Sequence, residues 1–208
     1  MDKIISFIMH IDKNLVLILN NYGALSYGIV FLIIFAETGF VVTPFLPGDS
    51  LIFAIGALSV KGGFNLFGVY VLLLIAAIAG DALNYWLGKH FGRAAFKKIP
   101  LFSEDDLEKT EAFYKKHGGK TIIMARFIPI VRTFAPFVAG VSKMPYSEFG
   151  TFNIVGGFLW ITSFLFLGYF FGNIPVVEKN FSLVIIAIIA LSVLPALYEF
   201  IATKVRKK

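Results

Sequence analysis

The chain has 208 residues, of which 58% are apolar and 16% aromatic, and its formal net charge is +6. Several apolar runs are long enough to cross a bilayer, so it reads as an integral membrane protein with room for one compact membrane domain and no sizeable soluble one. The absence of cysteine excludes disulfides and thiolate metal sites, and His10, His90 and His117 are too scattered for a metal motif.

In residues 1–21, Ile4, Ile8, Ile11 and Leu15 fall on one helical face, while Lys3, His10 and Asn14 lie largely off it. That pattern predicts an amphipathic helix lying in the membrane interface. Asp2, Lys3, Asp12 and Lys13 break the start of the chain, and no small-residue cleavage site follows, so a cleaved leader is not expected. Tyr22–Val42 is the first predicted span. Pro44–Ser59 is short for a span and opens Pro-Phe-Leu-Pro-Gly-Asp, which suits a re-entrant hairpin over about residues 44–59. Phe64–Leu87 is the second span. The loop 89–120 is expected to be cytoplasmic and to hold a soluble helix, Leu101–Gly119, capped by Ser103 and ended by Gly118.

Thr121–Val141 is apolar but contains Arg126, Arg132, Pro129 and Pro136. A charge at bilayer depth costs about 2.5–3.5 kcal/mol on insertion scales. Two arginines between prolines are therefore hard to reconcile with a simple span, and a second re-entrant hairpin, 121–141, is predicted. Phe149–Phe171 and Phe181–Ala202 follow as two further spans. Counting them this way keeps the basic tail on the same side as the basic loop. Eight Lys/Arg lie in 89–120 and four in 204–208, and in all 15 of the 19 fall on the inner side, with both termini cytoplasmic. The basic charge thus reports topology and contact with anionic lipid heads rather than nucleic-acid binding. The predicted fold is all-α: a polytopic helical membrane domain over 22–208 with two opposed re-entrant hairpins, a transporter-like inverted arrangement. Phe45–Pro47 and Phe127–Pro129 open the two hairpins, and Gly56 and Gly140 follow later. The Pro-to-Gly spacings differ by two residues, which leaves the internal repeat open.

Three acids lie in or beside apolar segments of the first half: Glu37, Asp49 and Asp81. A lone ionised carboxylate in a span is costly, so Glu37 is expected to be protonated or paired. Asp49 has two readings, a cap for a helix starting near Ser50 and a titrating group. Asp81 also has two, a residue facing a cytoplasmic vestibule and an accessory functional acid. Arg126 and Arg132 are six residues apart, so an unbroken helix would not align them, whereas a break at Pro129 brings both towards one cavity. Guanidinium suits bidentate contact with phosphate or carboxylate. The alternative is that the arginines only neutralise Glu37 and Asp49. The aromatic residues, Trp86 and Trp160 included, read as lipid-facing or core. No phosphate loop, Ser/His/Asp set or metal-binding helix motif is present. The chain is therefore not expected to be an enzyme or to hold a metal or cofactor.

FAETGFVVTPFLPGDSLIFAIGAL, GDALNYWLGKHFG, RFIPIVRTFAPFVAGVSKM and FNIVGGFLW, taken in this order, resemble the DedA family, also called SNARE-associated or VTT-domain membrane proteins. The resemblance runs from about residue 30 to residue 172. It implies a fold with opposed re-entrant hairpins, a place in the bacterial cytoplasmic membrane, and lipid handling: recycling of undecaprenyl phosphate linked to the proton-motive force. Some members move phosphatidylethanolamine, and eukaryotic relatives are scramblases. The family's functional acids would correspond to Glu37 and Asp49 and its functional arginines to Arg126 and Arg132. The expected partners are membrane lipids with an anionic phosphate head, bound by the arginines, and protons, coupled through the acids; a homo-oligomer is compatible with the sequence. The alternatives are a phosphatidylethanolamine flippase or scramblase and an ion/proton antiporter.

Overall fold

The computed structural model describes residues 11–40, 48–96, 114 and 118–190. The first half of the expected interfacial helix, the Pro-Phe-Leu-Pro opening at 44–47, nearly all of the helix in the loop and the basic tail lie outside these residues. Every described element is helical: α1 (Ile11–Tyr22), α2 (Leu25–Gly39), α3 (Gly48–Val60), α4 (Leu66–Phe96), α5 (Lys120–Ala125), α6 (Pro129–Val141), α7 (Tyr146–Phe171), α8 (Pro175–Lys179) and α9 (Phe181–Ala190). Two helical stretches are long and apolar enough to cross a membrane, Leu66–Gly92 and Tyr146–Phe171, of 27 and 26 residues. At 1.5 Å per residue each is about 40 Å long, more than the roughly 30 Å hydrocarbon core. The other apolar helices are shorter. α4 kinks at Gly92, whose φ of 58° a side chain would disfavour.

The chain divides into two compact units. One is Met1–Ile33, Leu46–Leu74 and Trp160–Lys208, and the other is Ile34–Phe45 and Ile75–Leu159. The first has a core that includes Leu15, Val30, Ile52, Ile55, Leu73, Trp160 and Leu165. The second is built around Tyr85, Tyr114, Ile122, Phe134, Phe137, Val138 and Phe149, with Tyr85 stacked on Phe149 at 4.4 Å between ring centroids. Many large apolar side chains remain exposed, among them Phe67, Ile75, Phe158 and Phe170. So much uncovered apolar surface is what a lipid-facing protein presents.

Each unit contains one close crossing made by two glycines, and the two crossings share a register. In the first unit a Cβ added to Gly56 of α3 would lie 2.0 Å from the Leu165 carbonyl oxygen and 2.9 Å from the Tyr169 amide nitrogen. One added to Gly168 would lie 1.9 Å from the Phe53 oxygen. In the second, a Cβ on Gly140 of α6 would lie 2.1 Å from the Tyr85 oxygen and 2.7 Å from the Lys89 nitrogen, and one on Gly88 2.0 Å from the Phe137 oxygen. Phe53 and Phe137 each precede their glycine by three residues, as do Leu165 and Tyr85. The units therefore repeat a short helix laid backbone to backbone on a long one. Gly56 and Gly140, which the sequence offers as repeat markers, do correspond, whereas the prolines do not keep step with them. Association through small residues suits lipid, where apolar burial supplies little drive between helices.

Candidate functional site

The arginine segment breaks where its proline requires. Ile128 is extended (φ −121°, ψ 100°), as a residue before proline prefers, and Pro129 opens α6 at a position that needs no amide donor. α5 thus ends at Ala125, Arg126 occupies its C-cap, and a tight turn carries the chain into α6. Pro136 lies within α6 and cannot donate to the carbonyl of Arg132. The expected break at Pro129 is present, and both arginines fall in the second unit.

Both are buried, Arg126 to 2% exposure and Arg132 to 5%. Nη2 of Arg126 donates to Oδ2 of Asp81 on α4 at 2.5 Å and to Oδ1 of Asn153 on α7 at 2.5 Å. Gly156 and Gly157 make the space for this side chain: a Cβ on Gly156 would sit 3.0 Å from the Arg126 Cδ, and one on Gly157 3.5 Å from Nη2. Nη2 of Arg132 donates to Oε1 of Glu37 on α2 in a second buried ion pair. Two further amides hold the frame. Asn153 donates to the Ile78 carbonyl at 3.0 Å, and Asn84 donates to the carbonyls of Thr38 at 3.2 Å and Thr133 at 2.7 Å. Asn84 thereby ties the end of α2 to α4 and α6. Close packing at Gly80, where a Cβ would lie 1.9 Å from the Thr38 Oγ1, keeps Glu37 and Asp81 on adjoining helices.

Among the described residues the buried charged side chains are Glu37, Asp81, Arg126 and Arg132. A buried ion pair recovers its desolvation cost only with good geometry and further hydrogen bonds, and breaking one is costly. Two such pairs within one compact unit, beside a helix break, make this the candidate site. Glu37, expected to be protonated or paired, is paired. Asp81, an accessory residue on sequence grounds, is the partner of Arg126. Asp49 belongs to the first unit, in the first turn of α3, where its Oδ1 accepts from Nε1 of the buried Trp160 at 2.8 Å. Asn84 and Asn153 are site-building residues not singled out on sequence grounds, while Trp160, expected to be lipid-facing or core, is buried in the core of the first unit. Asn84 follows Asp81 by three residues and so shares its helix face, and Asn153 precedes the Gly156-Gly157 pair; those are the signals that could have found them. Tyr114 donates to the Ala135 carbonyl at 2.6 Å, and burial, with Asp81 nearby, holds its hydroxyl well above the usual tyrosine range.

Two open clefts of about 490 and 610 Å³ lie in the first unit, around Leu58 and Lys61. Lys61 there meets Glu178 at 2.5 Å in a half-exposed pair, of a kind worth about 0–1 kcal/mol.

Comparison with known proteins gives the family. Residues 46–170 match the VTT domain. The chain is 52% identical to Protein DedA of Escherichia coli K12 over 205 residues, covering 97% of this chain and 94% of that protein. It is 42% identical to an uncharacterized membrane protein of Mycobacterium leprae over 79% of this chain and 75% of the relative. It is 34% identical to the inner membrane protein YqjA of E. coli K12, over 74% and 70%. No solved structure matches. The matched domain spans α3 to α7 and so takes in both glycine crossings and both arginines: the chain belongs to the DedA family of VTT-domain membrane proteins.

Proposed function

We propose that this protein carries undecaprenyl phosphate across the bacterial cytoplasmic membrane together with protons, for reuse in cell-envelope synthesis. One observation carries the reading: two buried guanidiniums, each already holding a carboxylate, flank one helix break. A phosphate monoester offers anionic oxygen acceptors of the kind that Arg126 and Arg132 now hold from Asp81 and Glu37, one carboxylate oxygen each. An arriving head group would exchange with those carboxylates, and protons taken up by the acids would keep the charge matched. The identity of the lipid rests on family membership. In this reading α3 and the α5–α6 pair are re-entrant hairpins entering from opposite faces, with both termini cytoplasmic. The matched glycine crossings support such an inverted repeat, and irregular backbone at membrane depth is tolerated where it lines a cavity.

The test is reconstitution into liposomes with labelled undecaprenyl phosphate, following its leaflet transfer with and without a pH gradient. Gradient-dependent transfer that is lost in Arg132→Ala, in protein shown to be inserted and folded, is the expected result. Normal transfer by that variant refutes the reading. Transfer of many lipids regardless of gradient would indicate a scramblase, and cation-dependent proton flux with no lipid requirement an antiporter.

A further inference from the structure

Asp81 and Asn84 carry an asymmetry that the ion pairs do not explain. Asp81 is 1% exposed and Asn84 fully buried. Asp81 uses Oδ2 for Arg126, while its Oδ1 has no hydrogen-bond partner among the described residues; the same is true of the Asn84 Oδ1. The orientation of Asn84 is fixed, because its nitrogen serves two carbonyls and a flipped amide would lose both bonds. Its oxygen is thus a committed acceptor. Two buried acceptors, one helical turn apart on one face, lack a donor between them. Leaving such groups bare is costly, and a single proton on the carboxylate would give Asn84 a donor.

We infer that Asp81 is the proton-accepting residue of the site and that the Asn84 side-chain oxygen receives the hydrogen bond of the protonated carboxyl. The step is a simple one: a proton from water forms an O–H bond at Oδ1 of Asp81, and the Arg126 ion pair loses its anionic partner. Arg126 is then available to an incoming anion, with Asn153 still holding it. Among the described residues, the charged and titratable groups facing Asp81 are Arg126, from the turn after α5, Arg132 on α6, and Tyr114. Asn84 reaches the backbone of Thr38, next to Glu37 on α2, and α7 contributes the neutral Asn153. The four buried charges, two of each sign, sum to zero, so a singly anionic head group entering with one proton leaves the sum unchanged. This inference rests on the phosphate reading for its ligand and not for its proton.

The test uses the full chain, purified in nanodiscs, with two readouts. The first is a ligand-free infrared pH titration. A protonated carboxyl band should appear as pH falls, move on aspartate isotope labelling, vanish in Asp81→Asn and shift to higher frequency in Asn84→Leu. Asp81→Asn keeps an acceptor for Arg126, and the labelling of the unaltered protein separates aspartate from Glu37 without any variant. The second is proton uptake counted per farnesyl phosphate bound, expected at about one proton per ligand and at least tenfold lower per bound ligand in Asp81→Asn. Equal uptake by Asp81→Asn, or a band unmoved by that variant, overturns the assignment. An Asn84→Leu band at its original frequency overturns the role of Asn84. If farnesyl phosphate does not bind the unaltered protein, the phosphate reading falls, and the ligand-free band alone decides for or against Asp81.

Discussion

Replacing Gly140 by alanine tests whether the glycine crossing holds the second unit together. The new Cβ would lie 2.1 Å from the Tyr85 oxygen and 2.7 Å from the Lys89 nitrogen, both backbone atoms of α4. An ordinary carbon–oxygen contact is about 3.3 Å, so α6 and α4 must part by roughly 1.2 Å. No rotamer change can absorb this, because the obstacle is main chain. A gap of about 0.5–1 Å already forfeits a quarter to a half of the dispersion energy of the facing atoms. With the strain of overpacking, Gly140→Ala should destabilise the protein by about 2–3 kcal/mol. Gly28→Ala is the matched control: it also lies within a helix, but its Cβ would meet nothing within 4 Å. That change should be stabilising by up to about 1 kcal/mol, from helix propensity alone. Reversible unfolding in mixed detergent micelles, followed by circular dichroism, measures both. Equal stabilities for the two variants would refute the argument that backbone contact at Gly140 is what the fold requires.

Two further outcomes follow from the site. In a double-mutant cycle, Glu37→Gln or Arg132→Gln alone should lower stability by about 3–5 kcal/mol, because each leaves a buried charge without its counterpart; the double variant should lose less than the sum, and strict additivity in the same unfolding assay would count against the pair. Tyr114→Phe leaves the Ala135 carbonyl without its donor and should cost about 1–3 kcal/mol. Because the folded hydroxyl ionises above its ordinary value of 10.0, the contribution of Tyr114 is fully present below that pH and declines as pH rises through it, when the unfolded chain ionises first. Stability measured from neutral to alkaline pH should therefore fall more gently in Tyr114→Phe than in the unaltered protein.

The helices were legible because apolar run length and proline chemistry are local. Pro129 dictates an extended Ile128 and a helix start, and both are present. The same local logic placed Arg126 and Arg132 at one break. Pairing was less legible, because it depends on which helix faces which. Glu37 does meet Arg132, but the partner of Arg126 is Asp81, a residue whose position along its helix leaves it two readings. Asn153 went unnoticed because an amide in an apolar helix carries no sign of its target; only contact with Arg126 reveals it. The repeat was half visible. Gly56 and Gly140 stand out after their prolines, yet the glycines they cross, Gly168 and Gly88, lie at very different distances along the chain, one after its partner and one before.

The cancellation among Glu37, Asp81, Arg126 and Arg132 has a consequence for voltage. A membrane potential does work of about 2.3 kcal/mol per elementary charge per 100 mV on charge carried across the bilayer. A site holding two positive and two negative side chains presents no net charge for that field to drive. On the proposed co-transport, a singly anionic head group that crosses together with one proton is equally silent, and the chemical gradient of protons alone pulls the lipid. A doubly anionic phosphate with one proton leaves one negative charge to move, and voltage then favours its outward passage over its return. The protonation state of the cargo, set by the pH on each face, would decide whether the cell's electrical potential hinders the carrier or leaves it untouched.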